Sequence, residues 1–444
     1  MTALSRHFLL YTVYSMSVYK FPEKFWWGSS TSAHQIEGDN NNDWTGWERS
    51  ESRIQNLESR DLNSRDFISG IACDSFNHYQ EDFDISKQLN QNAHRFSIEW
   101  SRIEPEEGRF DSRAMQHYVD VVNSLRDRGI EPIITLWHFT NPVWFAQKQG
   151  FLNIDSTKHF TRYVKYVVEN LKDKVSLWIT FNEATTVYSS FSYLNGTWPP
   201  QDKSLLRMMR VNRNIILAHI SAYKEIKSIY HSPLGLLNSS WSNTKHIQNQ
   251  QNDTSHNVRV GVAENIAFVP AGNKFYHRFL GKIYNYYRNF YFWTKAFPYY
   301  DFIGLNYYNV DRHVAGSFDS LPKQEVAPEM NWEIYPEGLY RLLLNFKRFN
   351  KPIFITENGI ADKSDQKRYK FIKDHLYWIW RAIQDGIDVK GYLYWSLLDN
   401  FEWHHGFIPR FGLVDVDYKT FERHIRPSAL EYAKICITNQ LEVD

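Results

Sequence analysis

Cysteine is scarce in this chain, since only Cys73 and Cys436 occur among its 444 residues. Cys436 falls in an apolar helical stretch near the C-terminus, and two cysteines so placed do not indicate a disulfide framework. A chain without an implied disulfide is typical of a reducing compartment. We therefore expect a cytoplasmic protein.

An excess of charge of either sign is also absent, because 51 basic and 50 acidic residues leave a formal net charge of +1. Nucleic-acid binding usually requires a basic face, so this balance gives no reason to expect a nucleic-acid partner. The sequence has no HExxH motif and no cluster of Cys and His. The adjacent pair His404 and His405 is insufficient for a metal site, so we expect no bound metal.

The N-terminus lacks a complete targeting segment. The run Phe8–Tyr14 follows Arg6 and faintly resembles the apolar region of a signal peptide, but it has no small-residue cleavage site. Tyr and Thr interrupt this run, which is far too short to span a bilayer. We expect no membrane span and favour Met16 as the natural start over a secretion signal, so residues 1–20 are predicted to be an N-terminal extension outside the core.

What the chain does contain is a repeated alternation of strand-like runs, rich in Val, Ile, Phe and Trp, with helical patterns. Such an alternation is the signature of repeated βα units. The eight predicted strands are Phe25–Thr31, Ala93–Trp100, Pro132–His138, Leu177–Glu183, Val258–Ile266, Phe302–Tyr308, Ile353–Glu357 and Gly391–Ser396. Eight parallel strands close into a (β/α)8 TIM barrel, whose active site lies at the C-terminal strand ends. We predict one such domain over residues 21–444.

Two of the predicted strands end in a glutamate within similar sequences. Ile353–Gly359 is an apolar run with Glu357 near its end, and Leu177–Glu183 is a near copy that ends in Glu183. Because both glutamates lie at C-terminal strand ends, their carboxylates should face one another across the mouth of the barrel. Paired carboxylates in this position hydrolyse glycosides, and a separation of roughly 5 Å is typical of enzymes that retain the anomeric configuration.

These motifs resemble those of family 1 glycoside hydrolases, the β-glucosidase family. Thr180–Glu183 is similar to the acid/base motif of that family, and Ile355–Gly359 is similar to its nucleophile motif. The resemblance extends from about Phe21 to about Ile435. Further matching segments, in the order of the family, are Phe25–Gly28, Arg95–Ile98, Asp301–Tyr308 and Tyr394–Trp403.

The resemblance implies a role for each carboxylate. Glu357 would be the nucleophile and Glu183 the general acid and base of a double displacement through a covalent glycosyl-enzyme. Arg95 would hold the nucleophile ionised and oriented, and the hydroxyl of Tyr308 would touch it. Asn306, at the end of the same strand as Tyr308, would support it too. No cofactor is implied.

The resemblance also implies a set of substrate-binding residues. Asn182 would bond the sugar 2-hydroxyl, Glu402 would accept hydrogen bonds from the hydroxyls farthest from the scissile bond, and Trp332 would form a wall for the leaving group. The other members of the set would surround the glycone, namely Gln35, His138, Trp395 and Trp403. One departure from the family pattern is Ala184, where Pro commonly follows the acid, and we expect it to be tolerated because Pro there supplies no chemistry.

The expected activity is therefore that of a retaining β-glycosidase acting on β-glycosides or short β-linked oligosaccharides. We favour glucosides, with galactosides and fucosides as further substrates because they differ from glucosides at only one or two hydroxyls. A transglycosylating enzyme would use the same intermediate, and the residues do not separate it from a hydrolase. A non-catalytic sugar-binding barrel is the alternative from another class, but the presence of both carboxylates favours the catalyst.

Overall fold

A computed structural model describes residues 17–231, 258–271, 275–312 and 321–443. Its strands are β1 (Ser17–Lys20), β2 (Trp26–Ser30), β3 (Ala93–Ser97), β4 (Glu131–Thr135), β5 (Leu177–Asn182), β6 (Arg259–Phe268), β7 (Phe302–Val310), β8 (Ile353–Asn358), β9 (Val389–Trp395), β10 (Val414–Val416), β11 (Arg423–Ile425) and β12 (Gln440–Val443). Strands β2 to β9 pair in sequence order and in parallel, and β9 returns to β2, so they close a barrel. The predicted (β/α)8 TIM barrel is confirmed.

The α-helices connect and surround these strands. They are α1 (Ala33–Ile36), α2 (Asp43–Glu48), α3 (Glu51–Glu58), α4 (Ser75–Gln88), α5 (Trp100–Ile103), α6 (Ser112–Asp127), α7 (Val143–Gln147), α8 (Ser156–Leu171), α9 (Leu205–His231), α10 (Phe275–Asn289), α11 (Tyr291–Ala296), α12 (Pro336–Phe346), α13 (Arg368–Gln384) and α14 (Pro427–Thr438). Short 3-10 helices are Ser64–Phe67, Gly150–Leu152, Lys347–Phe349 and Trp403–His405, and Ala184–Tyr188 and Ser190–Leu194 are π-helical. None of the helices in the described ranges is long and apolar enough to cross a membrane.

Each barrel strand sends alternate side chains to two separate apolar clusters, as the two-residue period of a strand requires. One cluster is built from strand residues that fill the barrel itself: Ala93, Ile133, Leu177, Ile179, Ala263, Phe302, Phe354 and Leu393. The side chains between them, such as Ile134, Trp178 and Ile303, belong to the larger cluster that packs against the helices. Filling the barrel in this way leaves only its rim for a binding site.

The helices bury one stripe each against this larger cluster. In α8 the buried residues Phe160, Tyr163, Val164, Val167 and Leu171 recur every three or four positions, which is the period of one helix face. Their burial fixes α8 against the strands on either side of it. The ends of the strands are thereby held in place for the loops that follow them.

The N-terminal strand lies outside the barrel. Residues 17–20 are predicted to be part of an extension, and in the structure they form β1, which pairs antiparallel with β12. Tyr19 packs its ring 4.6 Å from that of Trp380 on α13. Strand β1 is thus attached to the folded domain, whereas residues 1–16, with the run Phe8–Tyr14 and Met16, lie outside the described residues. The predicted boundary after residue 20 stays a prediction.

Candidate active site

A cavity of about 880 Å³ opens at the C-terminal ends of the barrel strands. It is lined by most of the residues predicted for the site, namely His138, Asn182, Glu183, Tyr308, Trp332, Glu357, Trp395, Glu402 and Trp403. The remaining three, Gln35, Arg95 and Asn306, are fully buried and lie directly behind this lining, each within hydrogen-bond distance of one of its members. The structure therefore brings all the predicted site residues together.

Glu357 reaches the cavity from the end of β8, a strand whose every residue is buried. One carboxylate oxygen accepts a hydrogen bond from Nη1 of Arg95 at 2.5 Å, and the other accepts one from the hydroxyl of Tyr308 at 2.7 Å. The pKa of Glu357 is raised above its usual value, because burial outweighs the charge of Arg95 and the hydroxyl of Tyr308, which lower it. The cation and the hydroxyl thus oppose the effect of burial and favour the ionised form of this carboxyl group.

The turn after Glu357 is possible because residue 359 is glycine. A Cβ at this position would lie 1.8 Å from the carbonyl oxygen of Trp395, closer than any real contact. The backbone after β8 therefore passes directly against the end of β9. This close approach holds Glu357 and Trp395 on neighbouring strand ends.

Glu183 follows β5 and has a left-handed backbone conformation, with φ at 46°. Its Oε1 atom accepts hydrogen bonds from the amides of Asn306 at 2.8 Å and Asn265 at 3.0 Å. Burial, followed by the negative charge of Glu357, raises the pKa of Glu183 to about 8. Burial and the nearby charge of Glu357 thus favour the protonated form of Glu183.

A chain of hydrogen bonds joins the two glutamates through asparagine side chains. Arg95 donates Nη2 to Oδ1 of Asn182 at 2.6 Å, and Asn306 donates its amide to the same oxygen at 3.0 Å. Because Oδ1 of Asn182 accepts, its Nδ2 points the other way and lies 3.1 Å from Nε2 of His138. The arrangement fixes the orientation of Asn182 between the glutamates and His138.

His138 is neutral in this setting, because burial and the charge of Arg95 hold its pKa well below the usual range. With Nε2 accepting from Asn182, the ring proton belongs on Nδ1. The Nδ1 atom is buried and has no hydrogen-bond partner within the described part of the chain. His138 thus lines the cavity and carries a buried ring nitrogen that has no partner in the described ranges.

Aromatic rings and one further acid form the rest of the cavity wall. The ring of His138 lies nearly parallel to those of Trp395 and Trp403, with both centroid distances at 5.9 Å. Burial, followed by the charges of Glu357 and Glu183, raises the pKa of Glu402 to about 8. On another side, Trp332 lies 5.4 Å from the ring of Tyr308.

Gln35 lies behind the wall that contains Glu402. Its amide nitrogen donates to the carbonyl of Phe401 at 2.8 Å and to the side chain of Asn400 at 2.9 Å, and it lies 3.4 Å from Glu402. Its amide oxygen accepts from Ser32 at 2.6 Å. The contacts of Gln35 in this structure therefore hold the loop that carries Glu402.

Three residues beside Glu183 were not found from the sequence: Asn265, Arg288 and Glu264. Arg288 of α10 donates to the backbone carbonyl and to the side-chain oxygen of Asn265, so the amide nitrogen of Asn265 is turned towards Glu183. The visible signal was a polar pair, Glu264 and Asn265, within the apolar run of the fifth predicted strand.

Glu264 secures the backbone that follows the acid. Ala184, which stands where the family commonly has Pro, is fully buried at the start of a π-helical segment. The next two residues, Thr185 and Thr186, donate their hydroxyls to Glu264 at 2.9 and 2.7 Å, and Thr185 also donates its backbone N–H at 3.1 Å. Side-chain contacts thus restrain this turn.

The described ranges contain no group of three or more His, Cys, Asp or Glu side chains arranged to hold a metal ion. The pocket chemistry described above is instead that of two carboxyl groups, amides, hydroxyls and aromatic rings. Such groups are suited to a ligand with many hydroxyls and apolar C–H faces. The carboxyl groups supply a nucleophile and a proton donor.

Comparison with known proteins agrees with this geometry. The family model described as Glycosyl hydrolase family 1 matches residues 17–441. Beta-glucosidase A of Acetivibrio thermocellus is 34% identical over 96% of this chain and 100% of its own length, and a beta-galactosidase of Sulfolobus acidocaldarius is 30% identical over 94% of this chain and 95% of its own. The solved structure of a beta-glycosidase from Pyrococcus horikoshii superposes with a TM-score of 0.81, at 36% identity, and the similarity covers 96% of each chain. The protein is a glycoside hydrolase, and it belongs to glycosyl hydrolase family 1.

Proposed function

We propose that this glycoside hydrolase removes terminal β-D-glycosyl residues by double displacement, with Glu357 as nucleophile and Glu183 as general acid and base. The observation that carries the assignment is the unequal environment of the two carboxyl groups. Glu357 accepts hydrogen bonds from Arg95 and Tyr308, whereas the hydrogen bonds of Glu183 come from two neutral amides. The cation beside Glu357 favours a carboxylate there, whereas burial and the charge of Glu357 favour a carboxylic acid at Glu183.

In the first step the carboxylate of Glu357 attacks the anomeric carbon as the bond to the leaving oxygen breaks. Glu183 gives its proton to that oxygen, for which a pKa of about 8 is suitable at neutral pH. Asn182, which is held by Arg95 and Asn306, would bond the 2-hydroxyl of the sugar, a contact that strengthens in the transition state. The product of this step is an ester between Glu357 and the sugar.

In the second step Glu183 acts as a base and removes a proton from the attacking water, which releases the sugar with its original configuration. Formation of the ester neutralises Glu357, and the charge of Glu357 is one of the causes that raise the pKa of Glu183. The pKa of Glu183 should therefore fall in the intermediate. The same group can then donate a proton in one step and accept one in the next.

We propose a neutral hexose as the glycone, with β-glucosides favoured and β-galactosides and β-fucosides as further substrates. His138, Glu402 and the rings of Trp395 and Trp403 would surround the glycone, and Trp332 would face the leaving group. The names of the relatives support both a gluco- and a galacto-configured substrate, since one is called a beta-glucosidase and another a beta-galactosidase. Values of kcat/KM for a panel of nitrophenyl β-glycosides would rank the three sugars.

The stereochemical course provides the direct test. Proton NMR during hydrolysis should show the β-anomer of the free sugar first, followed by its slow mutarotation. Release of the α-anomer first would contradict the double displacement and the assignment of Glu357 as nucleophile. No release of sugar from any glycoside of the panel would instead favour a sugar-binding protein.

We also propose that the protein works in a reducing compartment such as the cytoplasm. Both cysteines are free and buried, and burial raises the pKa of each thiol, which disfavours the reactive thiolate. The chain therefore needs no oxidising environment to complete its fold. Fractionation of the native source, followed by an activity assay, would test the location.

A further inference from the structure

The outer part of the active-site cavity differs in character from the part that contains the glutamates. Beyond Glu183 the lining consists mainly of apolar side chains from the π-helical segments and the start of α9: Val187, Phe191, Leu194, Leu205, Met208 and Met209. Tyr287 and Tyr291 add aromatic rings on the side of α10 and α11, where Tyr284 and Arg288 also line the cavity. A leaving group in this region meets mainly hydrocarbon and aromatic surface.

The apolar surface continues out of the cavity onto the exterior of the protein. Leu205 and Met209, which line the cavity, are 55% and 54% exposed, and Leu206 beside them is 79% exposed. On α10, five large side chains are 40–59% exposed: Tyr276, Phe279, Leu280, Ile283 and Tyr286. Their spacing of three or four residues places them in one stripe along the helix. We call these eight side chains of α9 and α10 the mouth patch.

Basic residues outnumber acidic ones on the helices that carry the mouth patch, although the whole chain is almost neutral. Helix α9 has five Lys and Arg residues and one acid, Glu225, and residues Phe275–Ala296 include four Lys and Arg residues and no acid. Three of these cations pair with acids nearby: Arg207 with Asp202, Lys227 with Asp301 and Arg288 with Asp311. Arg213 on α9 and Lys282 on α10 are both exposed. Helices that combine aromatic and aliphatic side chains with Lys and Arg are suited to the interface of an anionic membrane.

A second copy of the chain is a poorer occupant of this surface. In a symmetric dimer the same patch would face itself, which would bring the basic residues of one copy against those of the other. An anionic lipid surface fits both kinds of side chain, since its headgroups pair with the basic side chains and its acyl region accepts the apolar ones.

We propose that the mouth patch docks the protein on an anionic lipid surface, so that the apolar part of the cavity opens towards the membrane. If the proposed glycosidase activity holds, the natural substrates then include β-glycosides with a lipid-like aglycone. The sugar would enter the polar end at Glu357 and the hydrocarbon chain would follow the apolar lining to the mouth. Docking itself does not depend on the catalytic assignment.

The test of docking is co-sedimentation of the full chain with vesicles of phosphatidylcholine, with and without phosphatidylglycerol. We expect binding only to the vesicles that contain phosphatidylglycerol, and we expect salt to weaken it because the interaction is partly electrostatic. The Leu280→Ser/Ile283→Ser variant should lose most of this binding. Its matched control is Leu430→Ser/Ile437→Ser, since Leu430 and Ile437 on α14 are exposed to a similar extent, 49% and 68% against 51% and 53%.

A second pair of variants tests the charge. Each basic residue near an anionic surface contributes about fivefold to binding, so the reversal Lys282→Glu should weaken it by about tenfold or more. Lys434→Glu on α14 is the control and should have little effect. All four variants should keep the activity of the unmodified protein on a nitrophenyl glycoside in solution, because none of these residues lines the cavity. That assay also reports folding.

Three results would overturn the proposal: no sedimentation with either kind of vesicle, equal binding to both kinds, or equal losses in the mouth-patch variants and their controls. A fourth is a lower molecular mass of Leu280→Ser/Ile283→Ser in analytical ultracentrifugation without vesicles, which would assign the patch to a second copy. The substrate is tested separately, by the rate of hydrolysis of an alkyl β-glycoside with and without the vesicles that carry it. If the protein docks but the vesicles do not speed hydrolysis, the lipid surface is still the partner, and the proposal of a lipid-like aglycone is wrong.

Discussion

The ends of β5 and β8 carry the same side chain in two different settings. On the β8 side, Glu357 is held by a guanidinium and a phenol, so its neighbours compensate a negative charge. On the β5 side, Glu183 is held by the amides of Asn265 and Asn306, which carry no charge. Burial raises the pKa of both carboxyl groups. The groups that lower the pKa of Glu357 include a cation, whereas the hydrogen-bond donors that lower the pKa of Glu183 are neutral amides.

The comparison shows that residue type alone does not assign a catalytic role. Of the two glutamates at equivalent strand ends, Glu357 forms the ion pair with Arg95, and the proposed roles of nucleophile and acid rest on this difference. The negative charge of Glu357 then helps to keep the proton on Glu183. Each role therefore depends on the other.

The largest effect is expected for removal of the nucleophile. Glu357→Gly should lower kcat/KM by more than the roughly 10²- to 10⁴-fold that general acid–base catalysis contributes, because no covalent intermediate can form. With an activated glycoside and added azide, azide should attack directly and give the α-glycosyl azide. NMR of the azide product checks this, and a β-azide from this variant would exchange the two roles.

Removal of the acid should cost less and depend on the leaving group. Glu183→Ala should lose roughly 10²- to 10⁴-fold on alkyl glycosides but much less on dinitrophenyl glycosides, whose leaving groups need no proton. Because Glu357 still forms the ester, azide should give the β-glycosyl azide. Equal losses on both classes of substrate would mean that Glu183 has no part in proton transfer.

Removal of one support of the nucleophile should have an intermediate effect. Tyr308→Phe deletes a hydrogen bond to a carboxylate, and a loss of roughly 10- to 150-fold in kcat/KM is expected. The hydroxyl lowers the pKa of Glu357, so its removal should raise that pKa and move the acid limb of the pH profile to higher pH. The control is Tyr284→Phe, whose hydroxyl bonds Asp311 in the same cavity; a similar acid-limb shift in that variant would contradict the contact with Glu357.

The smallest effect is expected for removal of a hydrogen bond to Glu183, the proposed acid. In the unmodified protein, activity should fall as the pH rises through about 8, because Glu183 must be protonated to act as the acid. Asn265→Ala deletes a hydrogen bond that lowers the pKa of Glu183, so the alkaline limb should move to higher pH, with a loss of roughly 2- to 13-fold at neutral pH. Movement of the acid limb instead would show that Asn265 acts on Glu357.

Predicting the strands worked well where the apolar runs were long and uninterrupted. Every predicted barrel strand is present, but their ends shift by up to three residues: β4 stops at Thr135, three residues before His138, while β6 and β7 run two residues past their predicted ends. Periodicity reveals that a strand exists, whereas its end depends on pairing with its neighbours. That pairing is a property of the closed barrel.

Some residues of the site could be found from the sequence, and others could not. The two glutamates could be found because each lies at the end of an apolar run, and the resemblance to a family supplied most of their partners. Asn265 and Arg288 were missed because Arg288 turns the amide of Asn265 towards Glu183 from a separate helix, 23 positions along the chain. For Gln35, the contacts that hold its amide to the loop around Glu402 join residues more than 360 positions apart.

The sequence by itself determined that eight strands alternate with helices and that two of them end in glutamates, because local apolar periodicity encodes both facts. It also determined the family, through short motifs that survive in order. Only the tertiary structure gave a physical reason for the roles that the resemblance implies, since the pKa of each glutamate depends on burial and on Arg95 lying against Glu357 across 262 positions. It alone showed that the apolar stripe of α10 faces outward, because a period of three or four residues marks an apolar helix face without saying what that face meets.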